Sequence, residues 1–138
     1  MALSGLAACG KKEIRLSLTG TASLNAADDG APLPVVVRVY QLKGKERMEG
    51  ADFVSLWKEE GKILEEELLE RQEVTLFPGV RTMVPLQPKE EAAYLGIMAL
   101  FRRPEGEGWR QVIPLKESKV RSVEIIVGER TVKVGKVE

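Results

Sequence analysis

The fold of this 138-residue chain is decided by one run of residues, Val35-Val36-Val37-Arg38-Val39-Tyr40. Most of its side chains are β-branched, so they are stiff at the first torsion and pack well on the pleated surface of a sheet. The run is apolar almost without a break, and this is typical of a strand that is covered on both faces. We therefore predict that residues 35–40 form a central strand.

The sequence before this run contains a strand signal followed by a loop signal. Apolar Ile14, Leu16 and Leu18 alternate with polar neighbours, and this two-residue period predicts a half-buried strand that continues to Leu24. Turn-forming residues then fill the interval up to the central run. They are Asn25, Ala26, Ala27, Asp28, Asp29, Gly30, Ala31, Pro32, Leu33 and Pro34. Because proline cannot donate to a sheet ladder, residues 25–34 are predicted to form a loop.

After the central run, the spacing of the apolar residues changes. Phe53, Leu56 and Trp57 follow the three- and four-residue intervals of a helix, and Asp52 is placed to act as its N-cap. We expect Trp57 to pack in the core as part of this apolar face. The Leu and Glu residues of segment 64–69 predict one or two further helical turns before strands resume at Glu73.

The remainder of the chain is predicted to be β throughout, in three hairpins. In the first hairpin, Pro78 fixes φ and Gly79 adopts φ > 0, which suits a tight turn. The expected strands are residues 74–77 with 80–86, residues 92–103 with 109–115, and residues 120–127 with 131–134. Short strands between Gly and Pro turns favour one all-β domain, a two-layer β-sandwich with a small helical insertion near residues 51–70.

The composition argues against most catalytic and cofactor-dependent functions. Lys and Arg number 21 and Asp and Glu number 21, so no net field attracts nucleic acid or an anionic membrane surface. There is no His, the side chain most used as a general base and as a zinc ligand. Cys9 is the only cysteine, which excludes an internal disulfide and a CxxC pair. We predict a protein that is not an enzyme and that needs no cofactor or metal.

Three local patterns could be interpreted as chemistry. The Glu run at residues 65–67 resembles an acid/base pair, but adjacent helical residues point in different directions and such runs are usually solvated. The acidic loop at residues 25–29 offers oxygen ligands for calcium, yet it lacks spaced ligands and a distal Glu. Trp57 and Trp109 could form a sugar-stacking platform. A periplasmic sandwich that binds carbohydrate or another small ligand is therefore the alternative function.

The start of the chain has the features of a bacterial lipoprotein. Leu6-Ala7-Ala8-Cys9 resembles the lipobox at which a signal peptide is cleaved and the cysteine is acylated. Residues 1–5 are too short to supply the basic start and apolar run of a signal, so we expect truncation upstream. Gly10, and not Asp, follows the cysteine, and this resembles the sequence of lipoproteins that are sorted to the outer membrane. We divide the chain into a lipobox and tether at residues 1–12 and a sandwich domain at residues 13–138.

A set of motifs spread over most of the chain resembles one known family. They are Leu18-Thr19-Gly20-x-Ala22-Ser23-Leu24-Asn25, Gly30-x-Pro32-x-Pro34 with the run that follows to Leu42, Ala51-Asp52-Phe53-x-x-Leu56-Trp57, Pro78-Gly79, Tyr94-x-Gly96, Phe101-Arg102 and Trp109-Arg110. In this combination they are similar to the outer-membrane lipoproteins of the bacterial type VI secretion system, the TssJ family.

This resemblance implies a fold, a location and a partner. The fold would be a transthyretin-like β-sandwich with an added helical insertion, held at the periplasmic face of the outer membrane by a lipid on Cys9 and soluble without it. The partner would be the periplasmic C-terminal part of the inner-membrane protein TssM, with no nucleic acid or small-molecule substrate. The family implicates the loop after the first strand, here residues 25–34, in this contact. Leu33 is the expected anchor, and Ala31 stands where a more polar residue is expected.

Overall fold

The computed structural model describes residues 13–116 and 119–138. The predicted acylation site Cys9 and the tether of residues 1–12 lie outside the described residues. Eight described strands form two four-stranded sheets, so the prediction of an all-β, two-layer sandwich is confirmed. Among the described residues, no helix is long and apolar enough to cross a bilayer.

The first layer, sheet 1, contains the first strand of the chain and the C-terminal strands. Its members are β1 (Ile14–Gly20), β4 (Arg81–Leu86), β7 (Ser122–Val127) and β8 (Val132–Val137). They are arranged in the order β4-β1-β7-β8. β1 is antiparallel to β4 but parallel to β7, because the chain visits the other sheet before it returns.

The second layer, sheet 2, is built around the run that decides the fold. Its members are β2 (Val35–Leu42), β3 (Leu68–Leu76), β5 (Tyr94–Ala99) and β6 (Arg110–Pro114). The order is β3-β2-β5-β6 with antiparallel pairing throughout. β2 is therefore a central strand, as its sequence predicted.

The core lies between the inner faces of the two sheets. Alternate residues of each strand point into it, as the two-residue period of β1 predicted. Those that are almost completely buried include Leu16, Leu18, Val37, Val39, Leu95, Ile97, Val123 and Ile125. This packing gives the rigid frame from which the loops project.

The helical insertion between β2 and β3 consists of short segments. They are α1 (Glu46–Glu49), α2 (Phe53–Lys58), α3 (Glu60–Leu64) and a 3-10 turn (Glu65–Glu67). The predicted N-cap of α2 is confirmed, because the Asp52 carboxylate accepts hydrogen bonds of 2.9 Å from both the backbone N–H and the hydroxyl of Ser55. These bonds, the backbone one foremost, lower the pKa of Asp52 below its usual value.

Polar side chains of β2 fasten the insertion to the outer face of sheet 2. Arg38 is buried, and its Nη1 donates to the carbonyl oxygen of Trp57 over 2.9 Å at the end of α2. The same nitrogen lies 3.1 Å from Glu60 Oε1, which also accepts a 2.7 Å hydrogen bond from the Tyr40 hydroxyl. The insertion thus covers the face of β2 that does not contact sheet 1.

The outer faces of the two sheets differ. On sheet 2, Met48 of the insertion packs so closely over Gly96 that a Cβ at that glycine would lie 2.5 Å from the Met48 sulfur. On sheet 1, Arg15, Met83 and Pro85 remain exposed on the outer face. The described helices leave this second face open.

The prediction that Trp57 belongs to the core is wrong. Its side chain is 42% exposed, whereas the adjacent Leu56 is fully buried. Successive residues of a helix are about 100° apart, so α2 buries Leu56 with the partly buried Phe53 and directs Trp57 outward.

Several strand predictions also differ from the structure. β1 ends at Gly20 and not at Leu24, because residues 21–24 form a turn closed by the Leu24 N–H on the Thr21 carbonyl oxygen, although Leu24 is still buried. β3 begins at Leu68, five residues before Glu73. The predicted hairpin at residues 74–86 is wrong, since β3 and β4 belong to different sheets. A tight turn reverses the chain without requiring that the flanking strands pair.

Candidate functional site

The predicted binding loop lies at one end of the sandwich. β1, β5 and β7 all terminate at this end, where residues 21–34 carry the chain from sheet 1 to sheet 2. Residues 100–109 and 128–131 are its neighbours there. The Asn25 N–H donates to the Gly128 carbonyl oxygen, and the Asn25 side-chain oxygen accepts a hydrogen bond from the Arg102 N–H. We call this surface, together with the β3–β4 turn at residues 77–80 that adjoins it, the loop end.

Asn25 fixes the base of the loop. It is buried and has a left-handed backbone, with φ 45°, a region in which Asn is enriched. Its Nδ2 donates to the Pro34 carbonyl oxygen and its Oδ1 accepts from the Arg102 N–H, both over 2.9 Å. The side-chain oxygen that the sequence suggested as a calcium ligand is therefore used within the protein.

The tip of the loop is held by its own hydrogen bonds. The Gly30 N–H donates to the Ala27 carbonyl oxygen, and the Ala27 N–H donates to the Ala31 carbonyl oxygen, each over 2.8 Å. Asp29 Oδ1 accepts a 3.0 Å bond from the Ala31 N–H. Gly30 has φ 88° with no atom near a Cβ position, so glycine is needed for the backbone conformation and not for space. These bonds stabilise a defined conformation of the loop tip.

Exposed charges cross the loop end. Asp28 Oδ1 lies 3.0 Å from Arg102 Nη1 and 2.8 Å from Arg103 Nη2, and Glu105 pairs with Arg130 at 3.6 Å. The hydrogen bond from Arg102, reinforced by the charge of Arg103, lowers the pKa of Asp28. These ion pairs place three arginines beside two of the carboxylates of this surface.

Apolar side chains adjoin these charges. The predicted anchor Leu33 is half-buried, and its N–H donates to the Leu24 carbonyl oxygen over 2.8 Å. In the β3–β4 turn, Phe77 is 50% exposed and Val80 is 45% exposed. The turn is joined to the base of the loop because the Gly20 N–H donates to the Val80 carbonyl oxygen over 3.0 Å.

Sequence reasoning missed Phe77, Val80 and the three arginines as members of this surface. For the turn, the available signal was two large apolar residues that flank Pro78-Gly79, where the turn itself requires neither. The arginines gave no signal, because only the fold brings residues 102, 103 and 130 near the loop.

The two tryptophans do not form a sugar-binding platform. Trp109 is buried, with Phe53 packed edge-on against it at 5.3 Å between ring centroids. Phe53 also contacts the exposed Trp57 at 6.3 Å, so it separates the two indoles. The glutamates of residues 65–67 are exposed or half-buried in the insertion.

Comparisons with known proteins agree on one family. The family model described as type VI secretion lipoprotein (VasD, EvfM, TssJ) matches residues 12–130. No curated protein matches the sequence.

Solved structures similar to this chain come from the same secretion system. The T6SS lipoprotein TssJ1 from Pseudomonas aeruginosa has a TM-score of 0.83 at 23% identity, over 93% of this chain and 97% of that chain. A chain of a type VI membrane complex has a TM-score of 0.83 at 28% identity, over 91% and 98%. A chain from the structure described as the TssM C-terminal domain of EAEC has a TM-score of 0.79 at 26% identity, over 91% and 99%.

Proposed function

The chain belongs to the type VI secretion lipoprotein family, and on that premise we propose that it binds the periplasmic C-terminal region of TssM at the outer membrane. In this role it tethers the secretion apparatus to the outer membrane. It acts as a structural binding component and not as an enzyme. The resemblance of its fold to chains in structures described as a type VI membrane complex and the TssM C-terminal domain supports this partner.

The observation that carries the proposal is the fixed loop at residues 25–34. Asn25 ties both ends of the loop to the frame, and the tip is closed by the bonds of Ala27, Gly30 and Ala31. A loop that is ordered before binding loses little conformational entropy when a partner docks. Loops on rigid scaffolds commonly carry binding.

The composition of the loop end suits a protein partner. Exposed Phe77 and Val80 provide apolar contact area beside the arginines paired with Asp28. Interfaces between proteins typically combine an apolar centre, enriched in aromatic residues and Arg, with a polar rim. No described residues form a group of three or more His, Cys, Asp or Glu side chains that could hold a metal ion.

The topology separates the proposed binding surface from the proposed lipid anchor. Glu13 leads into β1 at Ile14, and β1 ends at Gly20 beside the loop. Seven strand residues rise about 23 Å at roughly 3.3 Å each. Glu13, the residue to which the tether connects, therefore lies at the end of the sandwich opposite the loop, so a lipid on Cys9 and a partner on the loop would not compete for space.

The proposal is tested by titrating the periplasmic C-terminal domain of TssM with the chain in a calorimeter. Replacing residues 26–33 with a short Gly-Ser turn, while keeping Asn25 and Pro34, removes the tip and Leu33. We expect binding to weaken at least about thirtyfold, which corresponds to one hot spot of about 2 kcal/mol. A thermal melt of the variant serves as the folding control. Unchanged affinity in a folded variant would move the contact elsewhere, with the insertion as the next surface to test.

The location is tested separately in the full-length precursor. Cys9→Ser removes the acceptor of the acyl chains, and a domain held at the membrane only by them is then released. We expect the wild-type protein in the outer-membrane fraction and the variant in the soluble periplasmic fraction. A Cys9→Ser protein that still sediments with the outer membrane would contradict acylation as the anchor.

A further inference from the structure

The open outer face of sheet 1 carries four cations, which we call the basic face: Arg15, Arg81, Lys133 and Lys136. In β1 the side chains of Leu16 and Leu18 point into the core, so Arg15, Ser17 and Thr19 point outward. Directly paired residues of neighbouring strands share a face. Thr19 pairs with Arg81 on one side and with Ile126 on the other, and Ile126 pairs with Lys133. Arg81 and Lys133 therefore lie on the same outward face as Thr19.

Lys136 completes the basic face. It lines one shallow depression of about 240 Å³ together with Arg15, Ser17, Arg81, Met83 and Glu124. Because Arg15 lies near the start of β1 and Arg81 pairs near its end, the cations are distributed over the length of the sheet. The positive charge of the basic face is therefore spread along the sheet and is not concentrated in one small site.

The four cations have no carboxylate partners among the described residues. Every described ion pair within 4.0 Å involves other side chains. Glu124 and Glu138 also border the depression, but the Glu124 carboxylate accepts a 3.2 Å bond from the Lys136 backbone N–H. Cations thus outnumber acids on this face, whereas arginines elsewhere, such as Arg38 and Arg71, are paired.

The opposite side of the sandwich has the opposite charge. The insertion, residues 46–67, contains eight acidic and three basic residues and so has a net charge of −5. It covers sheet 2, on the side away from the basic face. The net charge of zero for the whole chain therefore conceals a domain with one cationic and one anionic side.

The tether brings this charged domain close to a membrane, if Cys9 is acylated as in the proposed function. Cys9 to Ile14 is five residues, which span at most about 18 Å when extended. Arg15 follows immediately, so the tether enters at the edge of the basic face. Electrostatic attraction is screened beyond about 8 Å at physiological salt, so the extended tether is longer than this range. It still keeps the domain close enough for the basic face to approach the surface within that distance.

From these observations we propose that the basic face docks the domain flat on a membrane surface that contains anionic phospholipid. The layers would follow the order membrane, sheet 1, sheet 2, insertion. Repulsion of the acidic insertion by the same surface favours this orientation over its reverse. This inference goes beyond the proposed function and depends on it only for the acyl tether.

Vesicle binding by the complete chain tests the docking. The chain with Cys9→Ser, which has no acyl anchor, is sedimented with vesicles of phosphatidylcholine alone or with one-third phosphatidylglycerol. We expect at least about a hundredfold stronger binding to the anionic vesicles, since four cations contribute, and this preference should be lost in high salt. Arg81→Gln/Lys133→Gln should weaken it about 25-fold, since each cation near an anionic surface contributes about fivefold.

A matched pair on the insertion provides the control. Lys58→Gln/Lys62→Gln removes the same charge from exposed positions on the other side, and we expect at most a twofold effect. Equal weakening by both pairs, or equal binding to neutral and anionic vesicles, would overturn the proposal.

The exposed Trp57 indole reports the orientation. It lies on the insertion, so brominated lipid should not quench its fluorescence when the chain binds. Strong quenching would show that the insertion faces the bilayer and would overturn flat docking by sheet 1. Failure of these vesicle experiments leaves the calorimetric titration with TssM unaffected, so the two proposals fail separately.

Discussion

The side-chain oxygen of Asn25 accepts a 2.9 Å hydrogen bond from the backbone N–H of Arg102, which lies 77 residues further along the chain. The amide nitrogen of the same side chain donates to the Pro34 carbonyl oxygen at the far end of the loop. One buried side chain thus closes the loop and connects it to the segment after β5. The shape of the proposed binding surface depends on this residue.

Removing this amide should destabilise the domain. Asn25→Ala leaves the Arg102 N–H and the Pro34 carbonyl oxygen without their partner and places alanine at φ 45°. We expect the free energy of unfolding to fall by about 2–4 kcal/mol in a urea titration. Asn25→Gly also loses both bonds, but glycine adopts the left-handed backbone without strain. The free energy of unfolding should therefore fall by about 1 kcal/mol less in the Gly variant than in the Ala variant. Equal stability of the Ala variant and wild type would show that the loop is not fixed here.

The arginines around Asp28 should make the stability of the domain depend on pH through the pKa of this carboxyl. The pKa of this carboxyl lies below its ordinary value of 3.8, chiefly because Arg102 donates a hydrogen bond to it. Because folding lowers this pKa, the ionised carboxylate stabilises the folded protein at pH values above the unfolded-state pKa. This stabilisation is lost as the pH falls through the folded-state pKa. NMR titration should show Arg102→Gln raising the pKa of Asp28 more than Arg103→Gln does. The reverse order would assign the main effect to Arg103, whose 2.8 Å approach to Asp28 is the closer one.

Adjacent residues of α2 should respond very differently to truncation. Leu56 is fully buried, so Leu56→Ala should reduce the free energy of unfolding by about 2–5 kcal/mol. Trp57 is 42% exposed and contacts Lys58 as a cation–π pair at 5.2 Å, an exposed interaction. Trp57→Ala should therefore reduce it by only about 1 kcal/mol. Chemical denaturation of the two variants compares these losses. A larger loss of stability for Trp57→Ala than for Leu56→Ala would show that Trp57 packs in the core.

These residues show which features the sequence could predict. The strand at residues 35–40 and the loop at residues 25–34 were readable because alternation, β-branching and turn formers act over a few residues. The N-cap at Asp52 is equally local. Trp57 was misplaced because a six-residue helix contains too few apolar positions to define which of its sides faces the sheet.

The parts of the candidate site that were not predicted depend on long-range packing. Asn25 and Arg102 meet only because β5 ends beside the start of β2, and no local pattern encodes that contact. The turn at Pro78-Gly79 was recognised, but its flanking strands pair with different sheets. The same applies to charge, because a composition of equal positive and negative residues carries no information about how they are distributed.

The exposed turn beside the loop leads to the last prediction. Phe77 and Val80 are about half exposed, and the backbone of their turn is bonded to Gly20 at the base of the loop. If TssM docks on the loop end, its contact should extend over these side chains, because apolar anchors near the centre of an interface provide most of the binding energy. Phe77→Ala should then weaken binding about thirtyfold and Val80→Ala about fivefold, measured by calorimetry.

A matched substitution separates this contact from a general loss of apolar surface. Val54 on the insertion is 53% exposed, close to the 45% of Val80, so Val54→Ala removes the same atoms from a different surface. We expect Val54→Ala to leave the affinity for TssM unchanged. Thermal melts of the variants should match wild type within a few degrees, because exposed truncations leave no internal cavity. If Val54→Ala weakened binding while Phe77→Ala and Val80→Ala did not, TssM would contact the insertion and not the loop end.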